Sequence, residues 1–409
     1  MKLKIFFAVL ISSLGLQAAE PLTNAYEAIA LFTKVLEEVH RSYVDTEEAG
    51  YDTLIHHALS GMLQELDPYS VFLDEESYTD LKDDTSGSFG GIGIVISMKD
   101  GLLTVVSPME DTPGFRAGIL SGDIIIEING KETRELSLSE SVKLMRGEPG
   151  TEVKIKTLRP SNHKTDEITI VREEIDVASV KDAAMIEDWI GYIRITQFNE
   201  PTGLHLKEQL EKLSSEGMTG LVLDLRGNPG GLLSAAAEVT ELFLPRGELI
   251  VFTKGRNSSQ DGQRYESSGL THYTAKDFPM VILVNGGSAS AAEIVSGALQ
   301  DHKRAMLVGE KTFGKGSVQS ILPLEDGSAI KLTTAKYYTP SERVIHEHGI
   351  EPDYIVKMSP EDLFLLRTQK ERKNEEDEFL PEEPEIRDVQ LDAAIGALKG
   401  MIISQEWTK

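Results

Sequence analysis

VILVNGGSASAAEI, residues 281–294, reads in three parts. Residues 281–284 are a short β-branched, apolar run, Asn285-Gly286-Gly287 breaks it, and the residues from Ala291 onward have helical apolar spacing, so the segment predicts strand, tight loop, helix. That order predicts an α/β core, and it sets Ser290 at a helix N-terminus. There the unsatisfied N–H groups and the positive end of the helix dipole favour developing negative charge. The same residues, Ser290-Ala291-Ala292-Glu293, also form a capping box, in which the serine is only a helix cap.

Outward from it lies EKTFGKGSVQ, residues 310–319, which sets a lysine, Lys315, 25 positions after Ser290. A lysine serves as a base only when burial or a neighbouring cation lowers its pKa. Lys315 lies between Gly314 and Gly316 and beside Phe313, in a backbone able to approach another segment closely. Lys311 is the competing candidate, with Glu310 beside it to hold its charge. Gln319 follows Lys315 by four in the alternating run GSVQSILPL, which predicts a strand, and a neutral amide there can orient a lysine amine without raising its pKa. The pairing points to a serine hydrolase with a lysine base. A third segment, GLVLDLRGNPGG at residues 220–231, is a β-rich run ending in a turn that can present backbone N–H groups, followed by the helical LLSAAAEVTELF.

Together the three motifs resemble the carboxyl-terminal processing peptidases, or tail-specific proteases, PDZ-containing serine peptidases with a Ser-Lys dyad. YIRITQFN at 192–199, YYTPSERVIHEHGIEPD at 337–353 and GMLQELDPYSVFLD at 61–74 extend the resemblance over nearly the whole chain after its leader. The resemblance implies a Clp-protease/crotonase-like fold. It implies Ser290 as nucleophile, Lys315 as general base and Gln319 as the residue positioning the lysine. The implied oxyanion donors are the N–H of Ala291 and that of Gly230 or Gly231, the choice of glycine being open. Glu342 departs from the pattern, since the family commonly has glycine there.

Residues 86–173 change to short β-runs with glycine turns, GGIGIVISM, LLTVVSP, GDIIIEING, TEVKIKTL and DEITIVRE, with two helical pieces between. With RAGILSGDIIIEING downstream, this segment resembles a PDZ domain inserted ahead of the core. Its loop Gly91, Ile92, Gly93 and Ile94 would bind a peptide's terminal carboxylate through backbone N–H groups, and the following strand would pair with the peptide. Residues 20–85 predict an N-terminal helical region, whose His40, His56 and His57 are ordinary helix residues without metal-ligand spacing. Residues 174–358 are the expected α/β peptidase core. Residues 359–409 are an acidic linker, with nine acids and three bases over 371–388, and a final helix from VQLDAAIGALKGMII that docks on a partner or on its own core.

The 67 acidic and 41 basic residues give a formal charge of −26, which argues against nucleic acid or an anionic membrane surface as partner. The absence of cysteine excludes disulfides, a thiol nucleophile and a lipidated cysteine. MKLK, the apolar residues 5–16 and Gln17-Ala18-Ala19 read as a signal peptide over residues 1–19, hence an exported, periplasmic protein, with an uncleaved leader as the alternative anchor. Expected partners are proteins or peptides with free C-termini, a second copy through the terminal helices, and an adaptor or activator. The mechanism requires no cofactor. The competing functions are an inactive PDZ scaffold and a Ser-His-Asp hydrolase using His302 and Asp301.

Overall fold

Strands at the centre of the chain bury both of their faces, which a parallel sheet covered on each side requires. In the computed structural model, which describes residues 24–99, 101–109, 112–120, 122–136, 138–160, 163–256, 262–269, 278–359, 362, 366 and 386–407, this sheet runs in the order Val180–Glu187, Ile190–Ile195, Gly220–Asp224, Met280–Val284, Met306–Gly309, Tyr354–Ile355. The first pair is antiparallel and the others are parallel. Leu221 and Leu223, Met280, Ile282 and Val284, and Ile193 and Ile195 face one core with the helices Thr202–Ser215, Leu233–Glu241 and Ala291–Asp301. Val222, Val281, Leu283, Ile190 and Tyr192 alternate to the other face, where Ala394 and Leu398 of the helix Val389–Trp407 cover them. The final helix therefore docks on its own core. Asp388, the last acid of the expected solvated linker, is also held here with its side chain only 9% exposed, while residues 371–385 lie outside the described residues.

A second, antiparallel group joins Ser317–Pro323 to Ala329–Tyr338, and Ala329–Tyr338 to Leu249–Gly255. The PDZ-like segment forms a sheet in the order Ile94–Lys99, Leu102–Pro108, Ile124–Ile128, Glu152–Arg159, Lys164–Val171, with the short helices Pro113–Arg116 and Leu138–Met145. Its separate core holds Ile92, Leu103, Val105, Ile125, Val153 and Ile155. Ser88–Gly91 pairs with Glu173–Asp176 where the chain enters and leaves this domain, and the Val177 N–H donates to the Gly87 carbonyl at 2.8 Å.

By contact the chain divides into Met1–Phe72 and Leu73–Lys409. In the first unit, Asn24 caps the helix Ala25–Ser42 by accepting from the Glu27 N–H, and Tyr51–Gln64 forms the second helix. The His40 ring stacks on Tyr51 at 4.0 Å with its Nδ1 2.7 Å from the Ala49 carbonyl oxygen, a local packing role. The expected leader lies outside the described residues.

Candidate active site

Ser290 caps the helix Ala291–Asp301 with φ 53° and ψ −113°, a conformation unusual for a residue with a side chain and one that tight, strained turns at reactive residues adopt. Its backbone N–H donates to the Glu293 carboxylate at 2.9 Å, the glutamate half of the capping box. The box does more than start a helix. Fully buried Glu293 also accepts from Thr312 Oγ1 at 2.5 Å, from the Gly314 N–H at 2.7 Å and from the Lys315 N–H at 2.8 Å. Ser290 and Lys315 thus donate to the same oxygen, Oε2. Burial raises the Glu293 carboxyl above the ordinary range, opposed by these hydrogen bonds. Ser-x-x-Glu spacing is the sequence signal for this residue, read there only as a cap.

Lys315 is half-buried, and burial together with the nearby Lys331 ammonium lowers its pKa below that of an ordinary lysine. The glycine flanks allow the close approach expected of them: a Cβ on Gly316 would lie 2.2 Å from the His346 nitrogen. Lys311 is instead an exposed partner of Glu351, at 2.8 Å, and not of neighbouring Glu310. Gln319 donates through Nε2 to Thr333 Oγ1 at 2.8 Å and Ser317 Oγ at 3.2 Å. That arrangement leaves its buried Oε1 without a hydrogen-bond partner among the described residues. Ser290, Lys315, Gln319, Lys331, Gly230 and Gly231 all line one cleft of about 690 Å³.

The glycine turn is fixed residue by residue. Asn285 Oδ1 accepts from the Gly227 N–H at 2.8 Å, and Asn228 accepts from the Gly230 N–H at 2.8 Å while donating to the Ile195 carbonyl at 2.9 Å. The Asn228 carbonyl takes the Ala289 N–H, 2.9 Å, next to the serine. Gly230 has φ +104°, and a Cβ there would lie 2.7 Å from Ser290 Cβ and 3.0 Å from the Ala291 nitrogen. The Gly230 N–H is therefore committed to Asn228. Those of Gly231 and Ala291 have no hydrogen-bond acceptor among the described residues. Ser288 is fully buried and structural, its Oγ donating to the Leu225 carbonyl at 2.8 Å and accepting from the Asn285 N–H at 3.0 Å.

Two residues that sequence reasoning missed lie beneath this turn. Buried Asp224 accepts from the Tyr192 hydroxyl at 2.8 Å and the Arg226 N–H at 2.9 Å, and the Arg226 guanidinium clamps it. Burial alone would raise Asp224, but Arg226 outweighs it and holds the carboxyl below the ordinary range.

His302 and Asp301 end the 11-residue helix that Ser290 begins, ~16 Å away by helical rise. His302 Nε2 lies 2.7 Å from the Leu249 carbonyl oxygen, while Asp301 accepts from Ser341 at 2.9 and 2.7 Å, so no Ser-His-Asp triad assembles. Glu342 has φ 64°, the left-handed backbone in which the resembled family's glycine is at ease.

In the PDZ-like domain, Gly91 ends a paired strand and Ile94 starts the strand at the sheet's edge, and the Ile92 and Gly93 N–H groups have no acceptor among the described residues. The Ile92 and Gly93 carbonyls take the Gly114 and Met109 N–H groups at 2.7 and 2.9 Å, which turns that loop's amides the other way.

A family model described as Peptidase family S41 matches residues 189–356, and a PDZ domain model matches residues 90–171. The carboxy-terminal-processing protease of Bartonella bacilliformis is 43% identical over 399 residues, covering 93% of this chain and 90% of that protein. Carboxy-terminal processing protease CtpA of Bacillus subtilis is 36% identical over 368 residues, covering 86% of this chain and 76% of that protein. A solved photosystem II D1 C-terminal processing protease is 29% identical with a TM-score of 0.46, over 80% of this chain and 92% of that chain. With a serine and a depressed lysine in one cleft, an S41 peptidase segment and a PDZ domain ahead of it, this chain belongs to the carboxy-terminal processing proteases, a family of serine peptidases.

Proposed function

We propose that Ser290 is the nucleophile, Lys315 its general base, and Gln319 the residue that orients the lysine amine, with the Ala291 and Gly231 N–H groups receiving the oxyanion. The observation that carries the reading is the Glu293 carboxylate, whose one oxygen accepts from both the Ser290 and the Lys315 N–H. Neutral Lys315 takes the hydroxyl proton as Ser290 Oγ attacks the peptide carbonyl carbon. Negative charge gathers on the carbonyl oxygen between two N–H donors, the larger part of the barrier lowering in such sites. The lysine then gives its proton to the departing amine, and water, deprotonated by the same lysine, releases the acyl group. An amide oxygen at Gln319 suits this cycle because it is able to accept a hydrogen bond from the amine without the cation-stabilising charge of a carboxylate.

The Ile92 and Gly93 amides, without an acceptor among the described residues, and the edge position of Ile94–Lys99 support receipt of a substrate's terminal carboxylate at Gly91, Ile92, Gly93 and Ile94, with the tail added as a strand. The domain limits 86–173 and 174–358 follow the same division. The export reading rests on the leader sequence, and no helix among the described residues is long and apolar enough to cross a membrane. The exposed Tyr26, Ile29, Phe32 and Val35 of the first helix support pairing with a second copy there, whereas the last helix spends Ala394 and Leu398 on its own sheet.

The test is turnover of one unstructured protein, supplied as free acid and as C-terminal amide. Ser290→Ala and Lys315→Ala should each abolish cleavage with the fold intact, Lys311→Ala should retain most of it, and the amide should be cut more slowly. Near-wild-type turnover by Lys315→Ala removes the lysine-base mechanism. Equal cleavage of acid and amide removes the PDZ domain from tail recognition.

A further inference from the structure

The five N–H donors of the Arg226 guanidinium are all engaged, and two partners come from far along the chain. Nε bonds both Asp224 oxygens at 3.0 Å, and Nη2 bonds Asp224 at 2.6 Å and Asp388 at 2.8 Å. Nη1 bonds Asp388 Oδ1 at 2.9 Å and Gln390 Oε1 at 3.0 Å. The side chains of Arg226, Asp224 and Asp388 are only 5%, 4% and 9% exposed. Asp388 also accepts the Leu391 N–H at 3.0 Å, and Gln390 donates to the Val356 carbonyl at 2.8 Å, so both are anchored to the foot of the last helix.

A buried cation between two carboxylates is a poor way to hold a helix down, because desolvating the charges offsets much of their attraction. The last helix already has an apolar seat beneath Ala394 and Leu398. Arg226, however, stands directly before the turn Gly227 to Gly231, and its own N–H is locked to Asp224 at 2.9 Å. From there the bracing continues through Asn285 to Gly227 and through the Asn228 carbonyl to Ala289, the residue before the serine.

We propose that Asp388 and Gln390 are positioning residues for peptide hydrolysis: from the C-terminal helix they hold Arg226, and so set the turn that carries the Gly231 N–H against Ser290. This rests on the oxyanion reading given above. It makes the C-terminal segment part of the working site, although none of its described residues lines the cleft.

Asp388→Asn keeps the helix cap, since asparagine caps a helix as well as aspartate does. It removes the charge that faces Arg226 and, with its oxygen kept on the Leu391 N–H, turns an amide N–H₂ towards the Nη2 from which Oδ2 accepts. Sub-ångström displacement of a donor is expected to lower kcat per fluorophosphonate-titrated serine about 10- to 100-fold with KM within about twofold. Asp388→Glu should recover part of the loss, and the milder Gln390→Met should lose about 3- to 10-fold on the same physical grounds and serve if Asp388→Asn does not fold. A peptide boronate, which forms a tetrahedral serine adduct, should bind each variant more weakly by the factor lost in kcat, while a product peptide binds unchanged.

Unchanged kcat per titrated serine overturns the proposal, as does a fall in kcat with undiminished boronate affinity. Should the wild-type enzyme itself bind the boronate no more tightly than the matching peptide, the oxyanion reading fails. If wild type binds it tightly and the variants do too, only the role of Asp388 and Gln390 fails.

Discussion

Glu293→Gln tests how the two halves of the site are held together. The carboxylate accepts four hydrogen bonds, two on each oxygen: Thr312 and Gly314 on Oε1, Ser290 and Lys315 on Oε2. Glutamine keeps one acceptor oxygen, and in either orientation its NH₂ group confronts two donors. Two buried hydrogen bonds to a charged acceptor are lost, at about 1.5–3 kcal/mol each. The neutral side chain recovers part of the desolvation that raises the Glu293 carboxyl, so the net loss is about 2–4 kcal/mol, or roughly 5–15 °C in the unfolding midpoint. Function should suffer beyond stability, because the amide N–H₂ confronts either the Ser290 and Lys315 N–H groups or the Thr312 hydroxyl and Gly314 N–H that seat the lysine loop. At a temperature where the variant is folded, fluorophosphonate labelling of Ser290 and kcat should both fall about 100-fold. Thermal unfolding followed by circular dichroism, with labelling rates on the folded protein, reads both quantities. A variant that melts within a degree of wild type and labels at the same rate refutes the anchoring argument.

As the proposed general base Lys315 must be neutral, and burial with Lys331 lowers its pKa, so kcat/KM and labelling should rise with pH and level off below the range of an ordinary lysine. Lys331→Gln removes the second cation and should move that midpoint upward, towards but short of the ordinary value, because burial remains; a profile that stays put or moves down excludes the coupling. Glu342 occupies a left-handed backbone at φ 64°, so Glu342→Gly relieves about 1–2 kcal/mol of strain against about 0.5–1 kcal/mol of unfolded-chain entropy. A midpoint raised by a degree or two with unchanged turnover is the expected result, and a lower midpoint contradicts the strain.

The motifs around Ser290 and Lys315 were legible because their local patterns survive folding. A strand, a glycine break and a helix appear as Met280–Val284, the loop and Ala291–Asp301, and the run after Lys315 appears as the strand Ser317–Pro323. Short β-runs between glycine turns likewise exposed the PDZ strands. Partners remote in sequence were not legible. Nothing near Arg226 announces Asp388, 162 positions later, and an acidic run that reads as solvated ends in a carboxylate paired with a buried arginine. Gly230 and Gly231 are indistinguishable as text. Asn228 separates them, since its side chain takes one amide and leaves the other. Glu293 looked like one half of a cap because spacing reveals its own helix and not the lysine loop that folds over it.

The ribbon formed by Ser88–Gly91 and Glu173–Asp176 brings both crossings into the PDZ domain to one place, fastened by the hydrogen bond between Val177 and Gly87. Strand neighbours lie about 4.8 Å apart. To the host chain, everything between them is a loop whose ends already meet, and closure entropy grows only slowly with loop length. The PDZ domain is thus a cassette: it can be lengthened, traded or lost while the strands leading to Ser290 keep their connectivity. A lineage can retune which tails it captures without touching the chemistry that cuts them.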